Sequence, residues 1–142
     1  MACYVDTSVW VALLSQEARG PAVARWLQGD VPLVTSRWTA VEIASALSIK
    51  AGRGELSQAQ VSQACQAFSD VLDGAGVAAV DCVGTDFQEA ALLCEHVASG
   101  LRSGDALHLA VAQRTGSSLF LSFDRTLNQQ AERLGLQLIE IE

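Results

Sequence analysis

Apolar positions fall into short blocks set between longer stretches of helical spacing. Ala2 to Val5 is an apolar run that ends at Asp6, and Thr7-Ser8 then offer hydroxyl caps to Val9-Trp10-Val11-Ala12-Leu13-Leu14. The pattern predicts a strand, a polar junction and a helix. A second short helix is expected from Pro21, a residue favoured in a first helical turn, to Leu27, with Gly29 as its stop. Pro32 to Thr35 reads as the next strand. Arg37 to Ala51 lacks Gly and Pro and is rich in Ala, which predicts a long helix broken by Gly52-Arg53-Gly54. Ser57 to Gln60 fits a capping box that opens another helix lasting to Asp73-Gly74, so that the two form a helical hairpin. Val77 to Val80 is a third strand, and Thr85 to Gln88 is a second capping-box pattern ahead of a helix containing Ala90-Ala91-Leu92-Leu93. Ser103-Gly104-Asp105 opens an apolar helix over Ala106 to Arg114, which Gly116 ends before a fourth strand at Ser118 to Leu121. Asp124 precedes a helix over Arg125 to Leu134, stopped by Gly135, and Gln137 to Ile141 is the terminal strand.

Short apolar strands separated by helices imply an α/β fold with three α/β/α layers, in which a five-stranded, mainly parallel sheet is covered on both faces. A chain of 142 residues with no repeat or linker predicts a single domain spanning 1–142. Half of the residues are hydrophobic and 18% are charged, which supplies a core and excludes a disordered polymer. No apolar run approaches the roughly 20 residues that cross a bilayer, and the start lacks a basic flank and a cleavage signal, so a soluble cytoplasmic protein without a membrane partner is expected. The four cysteines show no Cys-x-x-Cys pairing and read as buried thiols. Cys94 and His96 diverge on one expected helix, so no zinc site is expected.

The net charge of −7 disfavours a broad basic surface for nucleic acid. If several acids converge on bound divalent ions, however, that count overstates how strongly the working site repels phosphate. In open parallel sheets ligands collect beyond the carboxyl ends of the strands. Asp6 follows the first strand, Asp124 follows the fourth, and Asp105 lies in the first turn of the helix leading into the fourth. Glu42 shares a helical stripe with Ala46 and Ile49, where a carboxylate is partly buried. Singly, each aspartate serves as well as a helix cap, and Glu42 as an ordinary surface residue. Together, four carboxylates at close range strongly disfavour simultaneous ionisation, so a persistent cluster needs cations to offset the repulsion, and oxygen-only ligands suit Mg2+ or Mn2+.

Tyr4-Val5-Asp6-Thr7-Ser8-Val9-Trp10, Val41-Glu42, Gly104-Asp105-Ala106-Leu107-His108-Leu109-Ala110 and Ser122-Phe123-Asp124 resemble the motifs of PIN domains in order and spacing. The likeness covers nearly the whole chain and is nearest to the VapC-type toxins of toxin–antitoxin pairs. It implies a Mg2+-dependent ribonuclease, RNA as substrate, a homodimer, and a cognate antitoxin protein whose tail covers the acidic cleft. It also implies that Asp6, Glu42, Asp105 and Asp124 are the catalytic, metal-binding carboxylates, with Ser8 and Ser122 as polar positions beside them. Asn128 stands where some relatives carry a further acid, and its neutral amide weakens any second cation site.

Other polar residues are read locally. Asp81 ends a strand expected at the sheet edge and is taken as structural, and Asp86 stabilises a helix end. His108, three residues after Asp105, either orients a carboxylate or is a satisfied core histidine, and is not counted as a ligand. Arg102 either holds a phosphate or pairs with a nearby acid. Trp10, Trp26 and Trp38 offer faces for unpaired bases, but Trp10 is expected in the core.

The chemistry expected is phosphodiester hydrolysis with Asp6 and Asp105 as principal ligands and Glu42 and Asp124 bound directly or through water. One rival is a phosphatase using Asp6 as nucleophile, but the Asp-x-Asp pattern of haloacid-dehalogenase-like enzymes is broken by Ser8. The other is a catalytically silent PIN-like binding domain acting through protein partners. Nucleotide-binding glycine loops are absent, since Gly52-Arg53-Gly54 lacks a third glycine and no Gly-Lys-Ser or Gly-Lys-Thr follows a strand.

Overall fold

The computed structural model describes residues 1–142. The chain runs β1 (Cys3–Val5), α1 (Thr7–Leu14), α2 (Gly20–Leu27), β2 (Leu33–Ser36), α3 (Trp38–Gly52), α4 (Gln58–Asp73), β3 (Val77–Val80), α5 (Gly84–Glu95), a 3-10 turn (Val97–Ser99), α6 (Ser103–Arg114), β4 (Leu119–Leu121), α7 (Arg125–Arg133) and β5 (Gln137–Leu138). All strand pairings are parallel, in the order β3-β2-β1-β4-β5. The strand β1 is central, with Cys3 opposite Leu33 on one side and Leu119 on the other. Chain connections depart to opposite sides of β1, which places a topological switch point between β1 and β4. The carboxyl ends of those two strands carry Asp6 and Ser122–Asp124.

Alternation along β1 assigns its side chains to two cores. Cys3 and Val5 face the layer of α1–α4 and pack with Val9, Trp10, Ile43, Leu47 and Phe68. Tyr4 faces the other layer with Leu109, Phe120 and Leu127, its ring stacked on that of Phe120 at 5.8 Å. Full burial of each such large apolar side chain contributes about 1.5–3 kcal/mol, so the strand that carries Asp6 is anchored on both of its faces. Small residues, Ala90, Ala106 and Ala110, let α5 pack closely on α6.

Several details depart from the sequence expectations. Asp6, not Thr7 or Ser8, is the N-cap of α1, which frees both hydroxyls for the site. The helix α5 begins at Gly84 instead of using Thr85 as a cap; Val83 N donates to the Asp86 carboxylate at 2.9 Å, and Arg114 Nε fixes that carboxylate at 2.7 Å. Ile49 is exposed instead of sharing a buried stripe with Glu42. The terminal strand is shorter than expected because its only neighbour, β4, has three residues. Ile139 N still donates to Phe120 O at 2.9 Å, and Ile139 and Ile141 pack against the α1–α4 core. The capping box at Ser57 and Gln60 forms with both of its hydrogen bonds, 3.1 and 2.8 Å. No helix is long and apolar enough to cross a membrane. The cysteines are free, and burial pushes the Cys3 thiol up to about 12.

Candidate active site

Asp6 leaves the sheet at the end of β1 and is 3% exposed. Its Oδ2 accepts from Ser8 N at 3.3 Å, from Ser8 Oγ at 2.8 Å and from Ser122 Oγ at 2.8 Å. Ser8 Oγ also accepts from Phe123 N at 2.9 Å, and Ser122 Oγ accepts from Asp124 N at 3.0 Å. The two serines therefore clamp the β1–α1 junction to the β4–α7 junction with Asp6 between them. Asp124 caps α7 through Leu127 N at 2.9 Å, and Asn128 Nδ2 donates to Ser122 O at 2.9 Å.

Glu42 approaches from α3. Its Oε1 accepts from Thr7 Oγ1 at 2.7 Å and from His108 Nε2. The imidazole of His108 is fully buried, with Nε2 3.1 Å from Thr7 Oγ1 and 3.5 Å from Asp6 Oδ1. Its Nδ1 lies 2.6 Å from Tyr4 Oη, which donates to Ser36 Oγ at 2.9 Å. Both sequence readings of His108 thus hold at once: it is a satisfied core histidine and it orients carboxylates. Thr7, Tyr4 and Ser36 form this buried relay, although by sequence they look like an ordinary cap and two strand residues.

The approach of Glu42 depends on Gly104. A Cβ there would stand 2.7 Å from Glu42 Oε2 and 3.3 Å from Trp38 Nε1. Only glycine leaves room for a carboxylate at the start of α6, and nothing in a single sequence distinguishes this glycine from a turn residue.

Electrostatics follow from this crowding. Burial pushes the carboxyl of Asp105 upward, and the charges of Asp6, Asp124 and Glu42 add to it against the opposing pull of His108, so that it titrates at about 6. Burial alone would raise Glu42, but the hydrogen bond and charge of His108, with Thr7 and Trp38, outweigh it and lower the value. For His108, burial works against protonation, and the hydrogen bond to Glu42 with the charges of Asp6, Glu42 and Asp105 more than reverses it. Burial lifts the Tyr4 phenol well above its ordinary range, so it remains a neutral hydroxyl.

Asp6, Glu42, Asp105 and Asp124 all line one open cleft of about 610 Å³, together with Ser8 and Arg102. Ser122 stands behind Asp6 and does not line this cleft. Arg102 makes no ion pair, unlike Arg37, Lys50 and Arg114. Asp81 pairs with Arg37 at 2.9 Å beside the edge strand β3, and Asp86 is engaged by Val83 and Arg114, so both lie outside the cleft. Trp10 is buried against Phe68. Single donor atoms of Asp6, Glu42 and His108 lie within 4.8 Å of one another, but the His108 nitrogen is taken by Glu42, which leaves the carboxylates to hold an ion. The cleft's four carboxylates, one of them resisting ionisation, are a donor set that suits a hard divalent cation.

Comparison with known proteins identifies the family and the fold. The family model described as PIN domain matches residues 3–133. Ribonuclease VapC35 of Mycobacterium tuberculosis (strain ATCC 25618 / H37Rv) is 30% identical over 142 residues, covering 96% of this chain and 94% of that protein. Ribonuclease VapC46 of the same strain is 29% identical over 146 residues, covering 97% and 96%. Among solved structures, Mycobacterium tuberculosis VapC20, described as a Sarcin-Ricin loop cleaving toxin, superposes with a TM-score of 0.72 at 21% identity, covering 91% of this chain and 95% of that one. VapBC-1 from nontypeable Haemophilus influenzae gives 0.65 at 16% identity, covering 99% and 98%. With a family match that spans nearly all of its residues, the chain belongs to the PIN-domain family.

Proposed function

We propose that this protein is a divalent-cation-dependent ribonuclease that hydrolyses RNA phosphodiester bonds, and that it is the toxin of a type II toxin–antitoxin pair acting in the cytoplasm. The observation that carries the reading is the convergence of Asp6, Glu42, Asp105 and Asp124 on one cleft that also holds two arginines without acidic partners, Arg19 and Arg102. The full-length relatives named ribonucleases support the substrate class. Likeness to VapBC structures supports a cognate antitoxin protein as partner. A homodimer is proposed on the resemblance alone.

Asp6 and Asp105 would hold the cation, Mg2+ or Mn2+ in its place, with Glu42 and Asp124 completing the set directly or through water. When bound, it supplies a nucleophile at neutral pH and neutralises charge building on the phosphate. The residues of the chain supply the rest. Ser8 and Ser122 fix one oxygen of Asp6, and Thr7 and His108 fix Glu42, so neither carboxylate must reorganise as charge develops. Arg102, exposed at the cleft and without an acidic partner, is placed to receive a phosphate oxygen. His108 does not act as base, since it is buried with both ring nitrogens engaged.

Attack by Asp6 on a phosphate is the weaker alternative. One of its oxygens accepts three hydrogen bonds, and the residue is buried, so it is held as a ligand and not freed as a nucleophile. Mapping of cut ends in total cellular RNA tests the proposal. Discrete cuts should appear with Mg2+, vanish with a chelator, and be lost in Asp6→Asn, whose fold should persist. Full activity of Asp6→Asn, or RNA left intact by the wild type, would remove it.

A further inference from the structure

Arg19 is an exposed residue at the start of α2 that lines the acid-bearing cleft. Its guanidinium carbon lies 4.4 Å from the centroid of the Phe123 ring, and Phe123 sits between Ser122 and Asp124 in the clamp that fixes the site. Although Glu17 is two residues away, its carboxylate is taken by Lys50 at 3.1 Å, and Arg19 makes no ion pair. The turn that carries Arg19 is rigidly built. Gln16 adopts a left-handed φ of 57°, Glu17 N donates to Ala12 O at 3.0 Å, and Gly20 N donates to Glu17 O at 2.8 Å. A Cβ at Gly20 would meet Ala12 O at 3.1 Å, so the turn packs tightly on α1. A long cationic side chain is thus placed over an aromatic ring at the lip of a cleft, on a turn held by backbone hydrogen bonds.

A guanidinium stacked on one face still offers its other face, and a flat cation between an aromatic ring and a nucleobase gains from both. The charge beyond Arg19 decides between a base and the sugar-phosphate backbone. Arg19 also lines an adjoining groove whose wall carries Glu132, Glu140 and Glu142 against Arg125. That surplus of acid repels phosphates and leaves a neutral base as the better occupant. We propose that Arg19, backed by Phe123, is a substrate-binding platform that stacks the base flanking the scissile phosphate and sets base preference there. This inference rests on the ribonuclease reading.

Arg19→Ala and Arg19→Lys test it, since lysine keeps the charge and loses the flat face. Two readouts are needed: mapped cleavage of cellular RNA, and fluorescence anisotropy of a labelled short single-stranded RNA carrying the mapped sequence, bound to Asp6→Asn proteins. Both substitutions should weaken binding by about tenfold, as loss of one stacked base does, and raise KM similarly while kcat changes by less than about threefold. Both should blur the base preference at one position beside the cut, and the salt dependence of binding with lysine should match that of the wild type. Wild-type affinity and preference with lysine would reduce Arg19 to a point charge and overturn the platform, as would an unchanged pattern with alanine. Failure of the ribonuclease reading is separately visible, because the wild type would then leave RNA intact; the platform falls with it.

Discussion

Gly104 illustrates how much of the site depends on a missing atom. An added Cβ would fall 2.7 Å from Glu42 Oε2, so Gly104→Ala must push that carboxylate away from its partners. Displacing a supporting group at a metal site costs about 10–100-fold in activity. We expect a loss of that size in kcat for Gly104→Ala with an unchanged circular dichroism spectrum, whereas full activity would mean that Glu42 has room to move. Asp105 makes the second residue-scale prediction. Its folded value, about 6, lies above its ordinary 3.8, so the cation-free folded state binds the proton more tightly than the unfolded chain does. The contribution is fully present below pH 3.8 and is lost as pH rises through about 6. Apparent affinity for Mn2+ should therefore climb with pH and level off above about 6; calorimetric titrations across that range would show a flat dependence if Asp105 were not in the cluster. Glu42 is shifted down and His108 up, each favouring its charged form. Their pair stabilises the fold most between the ordinary values of 4.5 and 6.5, lost as pH falls through the lowered Glu42 value or rises through the raised His108 value.

Among the elements, the strand–acid–helix junctions were legible because each has a local cause. An apolar run ending in Asp6 or Asp124, followed by helical spacing, fixes both the strand end and the cap, and the structure places those acids there. What the chain could not disclose locally is where side chains meet across elements. Thr7 reads as a cap until α3 brings Glu42 within 2.7 Å, and Tyr4 as plain core until α6 brings His108 within 2.6 Å. Arg114 is a further case, since it reaches across 28 residues to the Asp86 carboxylate that accepts from Val83 N at the start of α5. Arg114→Ala leaves a 2%-exposed carboxylate with its backbone donor only. Thermal unfolding should shift down by roughly 3–8 °C, the change that about 1–2 kcal/mol produces in a chain of this size. Cleavage per folded molecule should not change, because the pair lies outside the cleft. An unaltered Tm would show that Asp86 gains nothing from Arg114.

For the molecule as a whole, the alternation of short strands and helices dictated the parallel sheet, and the central position of β1 brought the acids of its neighbours to one edge. The negative total charge, which argues against nucleic acid when read as an average, is compatible with it once four of the carboxylates share one cleft. On the proposed reading, Asp6, Glu42, Asp105 and Asp124 act together as one cation site. Isothermal titration of Mn2+ into the wild type, Asp6→Asn and Asp105→Asn at pH 7 tests it most directly. The claim predicts saturable binding in the wild type and at least about tenfold weaker binding in each variant, as expected when a ligand is lost from a shared site. Equal affinity in all three proteins, or no saturable binding in any, would contradict it.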